Sequence, residues 1–228
     1  MKKFDLKVKG VNLGNWLVLE KWMCAGLFDN VEAEDEYYLP QDLSRDEYEG
    51  RMKMHRAEYI GAGDFFRIKS WGLETLRIPV PYFIFGDRAP FIGCIEQLDQ
   101  AFSWAEEAGL NILIDLHTAP MCQNGFDNGG MCGVCKWSQC PEEVDFVLSV
   151  LERLAKRYGQ HPALFGIEVL NEPITDPLWS MMQEHRNYVP RDPELAEGSK
   201  ANTLEFIRKF YTDAWEVINP YIAPDKFI

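Results

Sequence analysis

The sequence has few basic residues for its length, and this shortage limits the possible partners. Its 228 residues include 23 Lys and Arg against 36 Asp and Glu, so the formal net charge at pH 7 is −13. Nucleic acids and anionic membranes repel a chain of this charge. No hydrophobic run approaches the ~20 residues that span a bilayer. We therefore expect neither nucleic acid nor membrane as a partner.

Motifs that mark several common enzyme classes are also missing. No G-x-G-x-x-G follows the first predicted strand and no P-loop sequence occurs, which disfavours dinucleotide-binding and NTP-hydrolysing folds. The predicted strand ends supply only one of the four His, so a multi-His metal centre is poorly supported. We expect no cofactor.

The N-terminal segment Met1–Lys7 is basic but lacks the apolar segment of a secretory leader. This predicts a cytoplasmic protein, or a secreted one if the chain is a processed form.

Strand and helix patterns alternate along the chain, without repeats or low-complexity segments. Apolar segments bounded by polar or turn-forming residues predict strands at Lys9–Trp16, Leu73–Pro79, Asn111–His117 and Leu164–Asn171, with a fifth beginning at Asp225–Ile228. Apolar spacing of three and four predicts helices at Gln41–Ile68 (mostly helical), Ile95–Ala108, Pro141–Tyr158 and Lys200–Asn219. Ser44 and Glu47 have the spacing of a capping box.

Apolar strands separated by helices predict an α/β fold with a parallel sheet covered by helices. A doubly wound sheet and a β/α barrel both fit this pattern. In both, functional side chains lie at the C-terminal ends of the strands.

The segment Asn171-Glu172-Pro173 ends the fourth predicted strand and is the most informative part of the chain. Pro173 lacks a backbone donor and stops further strand pairing. A carboxyl group at the rim of an apolar core resists ionisation, which would let Glu172 act as a general acid. Asn171 beside it is a suitable partner for a hydroxyl group.

Polar residues follow the other three strands as well. The first strand presents Asn12, Asn15 and, just beyond it, Glu20; the second presents Arg77, and the third Asp115 and His117. Each has a structural alternative: Arg77 an ion pair, His117 a core histidine, Asp115 a backbone anchor, and Glu20 a turn cap. Because all four strands end at the same edge, we interpret the set as a site.

Five segments in this order resemble glycoside hydrolase family 5, in its exo-β-1,3-glucanase-like (glucan 1,3-β-glucosidase) branch. They are Gly10–Glu20, Leu76–Pro79, Asp115–His117, Gln123–Asn128 and Asn171–Pro173. The resemblance implies a TIM (β/α)8-type barrel and a retaining mechanism, in which two carboxyl groups roughly 5 Å apart act on one bond.

The resemblance also implies catalytic roles. Glu172 would be the general acid/base, Asn171 would hold the sugar 2-hydroxyl, Arg77 would orient the nucleophile carboxylate, and His117 would contact the non-reducing sugar. Glu168 cannot replace the nucleophile, because four residues of strand separate it from Glu172 by ~13 Å.

Substrate-binding roles are implied for residues outside the strands. Glu20 and Asp127 would bind hydroxyls of the terminal glucose, as suits an exo-acting pocket. Phe126 would stack on the sugar of the next subsite, and Asn128 belongs to the same substrate-binding set.

The resemblance assigns residues 1–228, as one domain without a second, to the first four β/α units of the barrel. The nucleophile Glu belongs to the seventh strand, outside these units. We expect such a half barrel to self-associate or to pair with a complementary C-terminal half, because its sheet edges and inner face would be exposed.

Cys122, Cys132, Cys135 and Cys140 lie in the long segment after the third predicted strand. They could be reduced thiols, a structural zinc site around Cys132-x-x-Cys135, or disulfides in an exported protein. Zinc would stiffen this segment and would take no part in cleavage of the glycosidic bond.

The resemblance implies hydrolysis of β-glucosidic bonds in a β-glucan or β-glucoside, with the linkage left open. The alternative is a non-catalytic carbohydrate-binding or self-assembling half-barrel fragment.

Overall fold

A computed structural model describes residues 7–185 and 188–228. The prediction about a leader rests on Met1–Lys7 and falls almost entirely outside the described residues. None of the helices in these two ranges is both long and apolar enough to cross a membrane.

The centre of the fold is a parallel sheet of four strands in sequential order. They are β1 (Gly10–Asn12), β2 (Thr75–Val80), β3 (Asn111–Leu116) and β4 (Leu164–Glu168). Each strand pairs in parallel with the next. This arrangement confirms the α/β fold class and is that of part of a (β/α)8 barrel.

The helices lie between and after the strands in chain order. They are α1 (Leu39–Asp42), α2 (Arg45–Glu58), α3 (Ala62–Ser70), α4 (Ile95–Ala108), α5 (Pro141–Tyr158), α6 (Asp176–His185), α7 (Pro193–Ala196) and α8 (Leu204–Ile218). Short 3₁₀ turns lie at Ala25–Phe28, Asp127–Gly129, Trp137–Gln139 and Pro224–Lys226. The predicted limits of α4 and α5 are confirmed, and α6 and α7 were not predicted.

The predicted helix over Gln41–Ile68 is divided into α1, α2 and α3. Ser44 caps α2 through the predicted capping box with Glu47. At the second break, the backbone N–H of Gly61 donates to the Asp64 carboxylate at 3.0 Å, and this bond caps the start of α3. Side chains that satisfy backbone donors therefore mark both breaks.

Apolar and polar side chains alternate along β2, so the two faces of the sheet differ in character. Leu76, Ile78, Ile112 and Ile114 belong to the buried core formed with α4, α5 and α8. Arg77 alternates with Leu76 and Ile78 and points away from this core, because successive strand residues face opposite sides. The face opposite the helices therefore carries the polar side chains.

The two edges of the sheet differ. Ile228 donates its backbone N–H to Ile167 O at 3.0 Å and accepts a bond from Val169, so a fifth parallel strand begins beside β4 as predicted. All three residues of β1 are exposed at the other edge.

Candidate active site

Arg77 lies at the centre of the polar cluster on the open face of the sheet. Its Nε and Nη2 donate to the two carboxylate oxygens of Glu168, each at 2.8 Å. Nη2 also donates to Asn171 Oδ1 at 2.9 Å, and Nη1 donates to Asn12 Oδ1 at 3.1 Å. The ion pair that was the structural alternative for Arg77 is thus observed. Arg77 also bonds Asn171, the residue beside Glu172.

Asp115 is fully buried between Arg77 and His117. Its Oδ2 lies 3.1 Å from Arg77 Nη2 and bonds His117 Nδ1. Burial raises the pKa of the Asp115 carboxyl, against the opposing effects of His117 and Arg77. The alternative in which Asp115 anchors backbone is therefore wrong, since both of its observed partners are side chains.

His117 is buried, and its position is set by Asp115 at one ring nitrogen. The other nitrogen, Nε2, has no hydrogen-bond partner among the described residues. A buried polar atom normally has a partner. Asp115 therefore satisfies one nitrogen of the ring, and the hydrogen-bonding capacity of Nε2 is unused by the described residues.

Asn171 and Glu172 follow β4, as the sequence predicted. Asn171 is buried and Glu172 is exposed, with a backbone φ of 45° that an L residue seldom adopts. Glu172 Oε2 accepts bonds from Asn128 Nδ2 at 3.1 Å and Asn171 Nδ2 at 3.4 Å. The sequence predicted Glu172 at the rim of an apolar core, sheltered from water. Its side chain is instead exposed, and its hydrogen-bond partners among the described residues are two amides.

The segment after β3 is tied to both neighbouring strand ends by one amide. Gln123 Nε2 donates to His117 O at 2.8 Å and to Asn171 O at 2.9 Å, while its Oε1 accepts from Ala119 N at 3.0 Å. Gln123 is fully buried. It therefore joins the ends of β3 and β4 close to both His117 and Glu172.

Asn124 connects the interior of this segment to Glu172. Its Oδ1 accepts bonds from the Phe126 backbone at 2.9 Å and the Cys122 thiol at 3.3 Å. Its Nδ2 donates to Asn128 Oδ1 at 3.3 Å, and Asn128 in turn donates to Glu172. The structure thus places Asn128 beside the proposed acid/base through a continuous set of side-chain bonds.

Phe126 and Asp127 lie on the outer part of the same segment, and both are half-buried. The Phe126 ring lies 5.2 Å from that of Tyr188, centroid to centroid. Asp127 Oδ1 accepts the Asn128 backbone N–H at 3.0 Å. Tyr188 was not predicted, because it belongs to a polar segment far along the chain.

Glu20 reaches the cluster from the loop after β1. Its Oε2 accepts a bond from the Trp22 indole at 2.9 Å, and its backbone N–H donates to Asn15 Oδ1 at 2.8 Å. The Glu20 carboxylate and the Asn12 amide lie 3.4 and 3.1 Å from the point where a Cβ on Gly14 would stand. Because Asn12 also bonds Arg77, Glu20 stands at the same edge as the other strand-end residues.

The four cysteines of the segment point to different neighbours. Cys122 bonds Asn124, Cys132 faces Val189 O at 3.9 Å, Cys135 packs with Ile174 and Met182, and Cys140 precedes α5. Within residues 7–185 and 188–228, no three Cys, His, Asp or Glu side chains are grouped to hold a metal ion. The zinc alternative has no support in this geometry, and all six cysteines are free thiols.

Comparison with known proteins places these residues in a family. The model of the family "Cellulase (glycosyl hydrolase family 5)" matches residues 50–214. Probable glucan 1,3-beta-glucosidase A of Aspergillus niger is 42% identical over 178 residues, covering 75% of this chain and 42% of that protein. Glucan 1,3-beta-glucosidase of Blumeria graminis is 36% identical over 217 residues, covering 92% and 45%.

Solved structures agree on the fold. Rutinosidase from Aspergillus niger superposes with a TM-score of 0.74 at 23% identity, covering 96% of this chain and 61% of that one. The chain spans less than half the length of the two curated relatives above. On the extent and identity of these matches, the chain belongs to glycosyl hydrolase family 5.

Proposed function

We propose that this chain supplies the acid/base side of a retaining glycosidase site that cleaves β-glucosidic bonds of a β-glucan or β-glucoside. Residues 1–228 would then form part of a single (β/α)8 catalytic domain. The relatives named glucan 1,3-beta-glucosidase support the substrate class. The proposal depends above all on one observation: Asn171 is fixed by Arg77 while Glu172, the next residue, is exposed at the strand ends.

In this proposal, Glu172 gives its proton to the leaving glycosidic oxygen and later, as a carboxylate, takes a proton from the attacking water. The amides of Asn128 and Asn171 both donate to Oε2. Among the described residues, Oε1 accepts no hydrogen bond and is the oxygen available to the substrate. The two amides therefore orient the carboxyl group without covering its reactive side.

The other residues would bind the sugar or the second carboxylate. His117 Nε2, which lacks a partner in the described part of the chain, is suited to a hydroxyl of the non-reducing glucose. Glu20 and Asp127 would accept bonds from further hydroxyls, and Phe126 would stack on the next sugar. Arg77 would orient the nucleophile, which retention requires roughly 5 Å from Glu172.

The test uses Glu172→Gln in the natural polypeptide and two aryl β-glucosides that differ in leaving-group acidity. A nitrophenyl group needs less protonation than an alkyl-substituted phenol, so the variant should lose at least ~100-fold in kcat/KM on the poorer leaving group and less on the better one. Glu107→Gln, an exposed α4 glutamate, is the matched control and should behave as the wild type.

An equal loss on both glucosides, or no loss on either, would remove Glu172 from the acid/base role. Binding of glucose oligomers by a wild-type protein that hydrolyses neither substrate would instead favour the non-catalytic alternative.

A further inference from the structure

Glu168 and Arg77 form a two-point ion pair on the face of the sheet opposite the helices. Two parallel bonds of 2.8 Å join them, and their side chains are only 23% and 25% exposed. The pair spans the sheet, because Arg77 lies on β2 and Glu168 on β4, with β3 between them. Two-point contacts of this kind fix the plane of the guanidinium group as well as its position.

A fixed guanidinium plane decides which way the Asn171 amide faces. Arg77 has only donors, so the atom of Asn171 that lies 2.9 Å from its Nη2 must be the carbonyl oxygen. The amide nitrogen then points to the opposite side, 3.4 Å from Glu172 Oε2. Asn171 consequently presents a donor, and not an acceptor, beside the proposed acid/base.

Asp115 makes Glu168 necessary for this arrangement. Its buried Oδ2 lies 3.1 Å from the same Nη2 that serves Asn171. Without Glu168, Arg77 would keep one full carboxylate partner, Asp115, and would be free to turn towards it. That turn would withdraw the donor from the Asn171 oxygen and release the amide.

We propose that Glu168 is a positioning residue, which acts through Arg77 to hold the Asn171 amide with its N–H side towards the sugar 2-hydroxyl. The proposal rests on the proposed function. Contacts to the 2-hydroxyl strengthen in the oxocarbenium-like transition state. Loss of Glu168 should therefore lower kcat more than it raises KM.

The test compares Glu168→Gln with Glu143→Gln in the natural polypeptide. Gln keeps the volume of the side chain but places an NH₂ group, in place of one carboxylate oxygen, against the guanidinium. Since both groups are donors, one of the two hydrogen bonds is lost. Glu143 is a matched control: it forms two bonds to Arg88, of 3.2 and 2.7 Å, with side chains 20% and 32% exposed, and among the described residues this pair makes no hydrogen bond to Arg77 or Asn171. Each variant is assayed on an aryl β-glucoside and on its 2-deoxy analogue.

For Glu168→Gln we expect kcat on the glucoside to fall about 10-fold or more, the value of one charge-assisted hydrogen bond, with KM changed less than about 3-fold. On the 2-deoxy analogue the variant should approach the wild type. Because both substrates are assayed on one preparation, their ratio does not depend on the fraction that is folded. Glu143→Gln should leave the ratio unchanged.

Equal losses on the two substrates would overturn the positioning role and leave a structural one. The Asn171→Ala background adds an independent readout, since Glu168→Gln should have little further effect there, and additive losses would contradict the proposal. Failure of the proposed function is separate: it would appear as wild-type activity in Glu172→Gln.

Discussion

Several single residues in this fold place a carboxyl group where little solvent reaches it. Among residues 7–185 and 188–228, three carboxyl side chains are almost fully buried: Asp35, Glu36 and Asp115. Burial raises the pKa of Asp35 to about 6 and that of Glu36 to about 7. Glu36 Oε1 lies 3.8 Å from Arg56 Nη2, too far for a direct hydrogen bond. The protein therefore contains ionisable groups whose protonation is linked to stability near neutral pH.

Glu36→Gln tests that linkage. The folded pKa of Glu36 is raised above its ordinary 4.5 to about 7, so the native state holds more protons than the unfolded state between these values. Stability should accordingly fall as pH rises through this window. In the variant, the loss of unfolding free energy between pH 5 and pH 8 should be smaller than in the wild type by on the order of 2 kcal/mol.

Denaturant unfolding at the two pH values measures this difference, and Glu107→Gln is the exposed control. If the unfolding free energy of Glu36→Gln had the same pH dependence as that of the wild type, another group would be responsible for it. Arg56 also donates to the carbonyls of Ile92 and Gly93, each at 3.0 Å, so it keeps partners after the substitution.

The sequence predicted which site residues lie at strand ends, but not which of them touch. His117 follows β3, Asn171 and Glu172 follow β4, and Arg77 lies within β2, so their placement towards one end of a parallel sheet follows from the predicted strands. The contact between Arg77 and Glu168 does not follow, because it crosses an intervening strand and depends on register and twist. The exposure of Glu172 also depends on the turn after β4, where φ is 45°.

At the scale of elements, α4 and α5 were located to the residue, whereas α8 begins at Leu204, four residues after the predicted Lys200, because Thr203 caps it. Helix α5 begins at Pro141, a favourable first position, and α4 ends at Gly109 in a left-handed conformation. Helix α6 buries only Met182 among its described side chains, so its sequence has no apolar stripe from which the helix could be predicted. Strand β1 is shorter than predicted because Asn15, at φ 58°, turns the chain away.

Gly159, at the end of α5, tests how closely that helix packs against the chain after α8. A Cβ there would stand 2.2 Å from Tyr221 O and 2.5 Å from Ala155 O. Gly159→Ala should therefore destabilise the protein by about 1–3 kcal/mol through overlap with backbone. Gly63→Ala is the matched control inside α3, where nothing lies within 4 Å, and should be neutral or stabilise by up to ~1 kcal/mol.

Thermal or denaturant unfolding of the two variants gives the comparison. If Gly159→Ala proved as stable as Gly63→Ala, the contact between the end of α5 and Tyr221 would be looser than the structure describes.

At the scale of the whole molecule, the sheet has one covered and one open edge. Beside β4, Phe227 and Ile228 begin a further parallel strand. Beside β1 no described segment pairs, and Val8 and Val11 are 54% and 36% exposed. An unpaired strand with exposed apolar side chains is a template for another strand. The alternation of elements predicted parallel strands but fitted a doubly wound sheet as well as a barrel, so the sequential strand order was implied only by the family resemblance. The difference between the two edges was not predicted.

From this open edge we expect the 228-residue chain, prepared alone, to self-associate through β1. Val11→Lys should weaken the association, because charge on an edge strand opposes pairing with a second copy. Leu204→Lys makes the same kind of change at a 62% exposed position on α8 and should leave the association unchanged. Sedimentation velocity over a concentration series measures the effect. A wild-type chain that stays monomeric throughout, or equal weakening by both substitutions, would show that the β1 edge does not drive assembly.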